Sequence, residues 1–182
     1  MSADALAVGA TAVLGALLLI AAGYDIIYRR IPNWTVIALL LLFVPATLLG
    51  GTLSTWPWSL AAFAAALVGS GALYLMGGVG AGDAKLFAAT ALYAGFAHLL
   101  MFAFVTVLAG GVLALGLLIA RPGSALRSLT ARGRAEGQPR GVPYGAAIAA
   151  GGLICAALIA APHWPGASSA LALESAPVTA PR

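Results

Sequence analysis

Residues 86–120 read LFAATALYAGFAHLLMFAFVTVLAGGVLALGLLIA, a run without a single charge. A membrane helix needs about 20 apolar residues at about 1.5 Å of rise each, so the run is long for one pass and tight for two. Gly95, His98 and the pair Gly110–Gly111 divide it into short helices near 84–97 and 100–120. The flanking charges arbitrate. Lys85 precedes the run, and Arg121, Arg127, Arg132, Arg134 and Arg140 follow it. A single pass would put these cations on opposite faces of a bilayer. A hairpin returns them to one face, as the excess of Lys and Arg in cytoplasmic loops requires.

The chain around this hairpin has the same character. Of 182 residues, 62% are hydrophobic and 8% charged, with a mean hydropathy of +1.03, whereas soluble domains carry about 25% charge. The other uncharged runs are 5–24, 31–82 and 141–173. Disorder is excluded by this hydrophobicity. A β-barrel is excluded by the continuous Leu, Ala and Val runs, because barrel strands alternate apolar and polar residues. The sequence pI near 9.7 does not point to nucleic acid, since the excess cations sit in loops beside apolar runs. Cys155, the one cysteine, lies inside an apolar run, so neither a disulfide framework nor a cysteine zinc site is expected.

The first run gives a pass over 5–24. The second gives helices near 33–49 and 58–76, separated at Gly50–Gly51 and Trp56-Pro57-Trp58 by a turn with interfacial tryptophans. The fourth gives a pass near 142–161. The expected fold is all-α, a polytopic bundle of about six transmembrane helices forming one membrane-embedded domain over 1–162. Residues 163–182, rich in Pro, Ser and Ala, have the composition of a disordered tail. Eight of the nine basic residues then share the cytoplasmic side, Arg182 being the exception, and both termini face outward. The loop 121–140, with five arginines, suits topology or contact with anionic membrane lipid.

Two acids stand out. Asp25 ends the first apolar run, in Gly23-Tyr24-Asp25-Ile-Ile-Tyr28-Arg29-Arg30-Ile31-Pro32-Asn33. Asp83 lies in Gly80-Ala81-Gly82-Asp83-Ala84-Lys85, where the third helix hands over to the fourth. Both reach the same cytoplasmic edge on the six-helix map, and an ionisable group at membrane depth is by default a candidate for function. Two neighbouring carboxylates do not both ionise cheaply, so such a pair serves as acid and base together. That is the requirement of aspartic proteolysis, with one Asp activating water and the other stabilising the oxyanion. Gly80 and Gly82 are expected to permit positive φ and to leave room for a substrate backbone. In the plainer readings, Asp25 pairs with Arg29 at i, i+4 and Asp83 caps a helix.

Gly80-Ala81-Gly82-Asp83 resembles the GxGD active-site motif of the type IV prepilin peptidases. Asp25 with Arg29-Arg30-Ile31-Pro32-Asn33 is similar to that family's first catalytic aspartate and its downstream segment, and Val142-Pro143-Tyr144-Gly145 is similar to its Pro-Phe/Tyr-Gly element. The three stand in family order over about residues 20–160. The resemblance implies a GxGD membrane aspartic endopeptidase of the bacterial inner membrane, with Asp25 and Asp83 catalytic. It would cut the leader from prepilin or pseudopilin precursors at the cytoplasmic face without metal or organic cofactor. With no paired-cysteine cytoplasmic domain, the chain looks like the short, peptidase-only type associated with tight-adherence (Flp) pili, for which N-methyltransferase activity is not expected.

Lys85 is a candidate for holding the active-site loop or for favouring ionisation of a carboxylate, and Arg29 and Arg30 for steering an acidic substrate residue. Asn33 is read as a cap for the second helix. Pro143 and Gly145 are read as shaping the start of the last helix, and Tyr144 as a hydrogen-bond donor. His98 and His163, on the outer side, lack a carboxylate or cysteine partner and are not read as metal ligands. The rival classes are a small proton-coupled transporter using the same acids, which predicts acids near the midplane and paired repeats, and a non-catalytic assembly factor, which predicts that both acids are dispensable.

Overall fold

A computed structural model of the chain describes residues 3–49, 55–120 and 143–160. The loop at 121–140, the tail from 163, His163 and the Gly50–Gly51 turn lie outside the described residues. Within them the chain is all-helical: α1 (Ala3–Tyr28), α2 (Asn33–Leu49), α3 (Trp56–Leu75), α4 (Ala81–Ala120) and α5 (Tyr144–Ala160). Three segments are long and apolar enough to cross a membrane, Val8–Tyr28, Trp56–Leu75 and Ala81–Ala120, while α2 and α5 are apolar but shorter. Five helical elements thus stand where six separate helices were expected, because 84–97 and 100–120 belong to a single element.

That element is not straight. Gly95 has φ 67° and ψ 171°, a conformation open essentially only to glycine. An unbroken helix would hold Phe87 and Phe102 about 22 Å apart, yet their rings stack with centroids 4.7 Å apart. The chain therefore doubles back at Gly95, and the two limbs of α4 lie side by side. The Phe96 ring lies 6.1 Å from that of Trp58, fixing the bend against the start of α3.

From the bend the packing follows in order. The first limb of α4 runs antiparallel to α3, where Ser70 donates to the Ala84 carbonyl (3.1 Å). Tyr93 donates its hydroxyl to the Leu39 carbonyl of α2 and stands edge-on to Phe43. The second limb runs antiparallel to α5, with Gly110 against Tyr144 and Thr106 against Gly151. α5 is antiparallel to α1 in turn, with Gly152 against Leu18 and Gly145 against Asp25. The interior is built largely of small residues, among them Ala21, Ala66, Ala88, Ala89 and Ala91, which let backbones approach closely. Large apolar residues such as Val68, Leu100, Val107 and Ile119 lie outside, so each helix is apolar all round, as membrane spans are.

Five helix ends meet at one end of this bundle, the C-termini of α1 and α3 and the N-termini of α2, α4 and α5. α1 does not stop at Tyr24; Ile26, Ile27 and Tyr28 continue it, so Asp25 lies a turn inside the helix. Arg29 closes α1 with its N–H on the Asp25 carbonyl (2.9 Å) and φ 54°, the left-handed cap that glycine usually provides. α3 ends in a Schellman motif, with Gly77 N–H on Tyr74 O and Gly78 N–H on Leu73 O, both 2.9 Å. Gly77 supplies the positive φ of 80°. Asn33 is the first helical residue of α2 and is exposed. Thr35 fastens that turn through its hydroxyl to the Pro32 carbonyl (2.7 Å).

Candidate active site

Both acids are buried although their neighbours in sequence are apolar: Asp25 is 5% exposed and Asp83 9%. Each is seated at a helix N-terminus, where backbone N–H groups lack intrahelical partners. Asp83 stands in the first turn of its own helix. Its Oδ2 accepts the Gly80 N–H (3.2 Å) while the Gly80 carbonyl accepts the Ala84 N–H (3.0 Å). This is the acid half of a capping box.

Asp25 caps a helix that is not its own. Pro143 precedes α5 and has no side-chain acceptor, so the first N–H groups of α5 need one from elsewhere. Gly145 donates its N–H to Asp25 Oδ2 at 2.7 Å, across 120 positions of sequence, and the Ala146 N–H also faces this carboxyl. The α5 terminus could not come so close with a side chain at 145. A Cβ on Gly145 would stand 2.9 Å from Asp25 Oδ2, closer than real Cβ atoms come, and 3.0 Å from Asp25 Cβ.

Ile31, given no role by the sequence reading, joins these parts. Its Cδ1 would lie 2.9 Å from that same Cβ on Gly145, and its Cβ 3.3 Å from a Cβ on Gly82. Residue 31 thus meets the α5 terminus through its side-chain tip and the residue before Asp83 through its Cβ and its backbone N and O. The glycines at 82 and 145 are explained by this wedge. The expectation that Gly80 and Gly82 adopt positive φ is not met, since positive-φ glycines are Gly77 and Gly95. Gly82 does leave room for a second backbone, but the backbone that stands there is that of residue 31. Ile31 lies within the segment of family resemblance, Arg29-Arg30-Ile31-Pro32-Asn33, but the sequence assigns it no role of its own.

The remaining candidates divide. Arg29 is half-buried and close enough to act electrostatically on Asp25, whereas Arg30 is exposed. Pro143 is buried beside Gly145, and the partly exposed Tyr144 lays its ring on Gly110 of α4. Lys85 does not join the group. It is exposed and, two residues beyond Asp83, lies about 200° round the helix. Asn33 likewise points outward. Among the described residues no three His, Cys, Asp or Glu side chains are grouped to hold a metal ion.

The arrangement brings two buried carboxyls, each capping a helix N-terminus, and a nearby guanidinium to one end of an apolar bundle. Each acid spends Oδ2 on backbone N–H. No curated protein and no solved structure matches the chain. Residues 12–115, more than half of the chain and spanning both acids, match the type IV leader peptidase family, and the chain belongs to that family.

Proposed function

We propose that this protein is a multi-pass aspartic endopeptidase of the bacterial inner membrane that removes the leader from type IV, Flp-like prepilins, with Asp25 and Asp83 as its catalytic pair. The observation that carries the reading is the coincidence of family membership with two buried carboxyls on separate helices, drawn to one end of the bundle around Ile31. With α4 folded at Gly95, the chain crosses the membrane six times, both termini lie outside, and the acids face the cytoplasmic side. A prepilin keeps its charged leader on that side and its apolar stem in the bilayer, so the scissile bond meets the pair without unfolding of the stem.

In the reaction one aspartate takes a proton from water as the water oxygen bonds to the peptide carbonyl carbon. The other hydrogen-bonds the developing oxyanion. A proton is then delivered to the amide nitrogen, the C–N bond breaks, and a carboxylic acid and a free amine leave. The backbone donors of Gly145 and Gly80 hold the two carboxyls in place through Oδ2 of each. The chemistry is proteolysis alone.

The test is co-expression with a pilin precursor from the same genome, read by mass spectrometry of the pilin. Wild type is expected to release an unmethylated mature pilin, and Asp25→Asn and Asp83→Asn are each expected to leave the precursor intact. Cleavage persisting in both correctly inserted variants overturns the pair.

A further inference from the structure

We infer that Ile31 is a positioning residue that sets the separation of the Asp25 and Asp83 carboxyls, a role that rests on the reading of these acids as the catalytic pair. The two acids stand on helices that do not rely on each other for packing. α1 packs chiefly on α2 and α5, and α4 on α3 and α5 with a smaller contact to α2. Their relative placement is transmitted through α5, which packs on both, and at the site residue 31 adds a bridge between the two acid-bearing segments. Ile31 presents Cδ1 to the Gly145 position, whose N–H grips Asp25, and presents Cβ to Gly82, the neighbour of Asp83.

Its stiffness suits the task. A β-branched side chain has few accessible χ1 states, and Pro32 after it restricts the backbone of residue 31 to extended conformations. The wedge is thus held from both its backbone and its branch. Both surfaces it touches are glycines, so nothing flexible lies between the wedge and the two segments that bear the acids. A residue of this kind acts through geometry, and a misplacement of about 1 Å at a catalytic pair costs on the order of 100-fold in rate.

Two measurements test this. In detergent-solubilised enzyme acting on a pilin precursor from the same genome, Ile31→Ala is expected to lower kcat about 100-fold with KM within about twofold of wild type. Ile31→Val, which removes only Cδ1, should show a smaller fall of the same kind and decides the matter if the Ala variant does not fold. Gly145→Ala should be less harmful in the Ile31→Val background than alone, because one of its clashing atoms is gone. The second measurement needs no substrate. In a Cys155→Ala background carrying Asp25→Cys and Asp83→Cys, thiol crosslinkers of graded length report the spacing, and the best-reacting length should shift on Ile31→Ala.

An unchanged kcat in the folded Ile31 variants, or the same crosslinker preference with and without Ile31, overturns the inference while leaving the catalytic pair intact. If Asp25→Asn and Asp83→Asn still cleave, or wild type does not cleave, the catalytic reading falls instead, and the crosslinking alone decides whether Ile31 sets the spacing.

Discussion

Arg29 occupies a backbone conformation that glycine adopts freely and an arginine adopts at a cost of about 1–2 kcal/mol. It sits one turn beyond Asp25, with its charge within reach of that carboxyl. Arg29→Gly is expected to raise the thermal midpoint of the solubilised protein, by relieving the strained cap, and to lower the rate of precursor cleavage, by removing the charge. A higher midpoint with unchanged cleavage would make Arg29 a topological cation only. At this scale the positions of the acids were legible because a carboxyl stands out in an apolar chain, and the plainer reading of Asp83 as a helix cap is met by the bond from the Gly80 N–H. The glycines were legible as a pattern but not in purpose. Gly82 and Gly145 are small because Ile31 and Asp25 stand against them, and sequence cannot say what faces a missing side chain. Lys85 stood out by charge alone, although its position two residues after Asp83 turns it away.

Gly95 governs the element that decided the fold. An alanine at φ 67° and ψ 171° is expected to cost about 1–3 kcal/mol, so Gly95→Ala should lower the denaturation midpoint of the solubilised protein. A substitution at Gly111, which meets nothing within 4 Å, should not. Equal stability of the two variants would mean that the bend tolerates a side chain. The reversal was legible through topogenic charge rather than local pattern, since Lys85 and the arginines after 120 had to share a side. The boundary of α1 was less legible. Charge marked Asp25 as an end, but a helix ends where its backbone hydrogen bonds end, and Ile26, Ile27 and Tyr28 keep the pattern going.

Across the whole molecule the contacts that organise the bundle join distant parts of the chain through small residues. A Cβ at Gly152 would stand 2.6 Å from Thr90 Cγ2 and 2.8 Å from Leu18 Cδ1, so α1, α4 and α5 meet there with no space to spare. Gly152→Ala is expected to destabilise the bundle by about 1–3 kcal/mol while leaving cleavage per folded molecule near wild type. Thermal melting in detergent beside single-variant kinetics measures both, and a loss of cleavage at unchanged stability would tie Gly152 to the site. This pairing of α5 with α1 was not legible in the sequence. Helices apolar all round present no preferred face, and only the three-dimensional packing reveals that residue 145 belongs beside residue 25. The bundle is also uneven in length. The limb from Ala81 to Ala94 is about 21 Å long, while the limb after Gly95 is described over about 37 Å. Against a hydrocarbon layer of about 30 Å, short helices draw lipid headgroups and water inward. Asp83 is seated at the N-terminus of this short limb, so a bilayer fitted to the limb would be thinned beside that acid, where the proposed hydrolysis needs water.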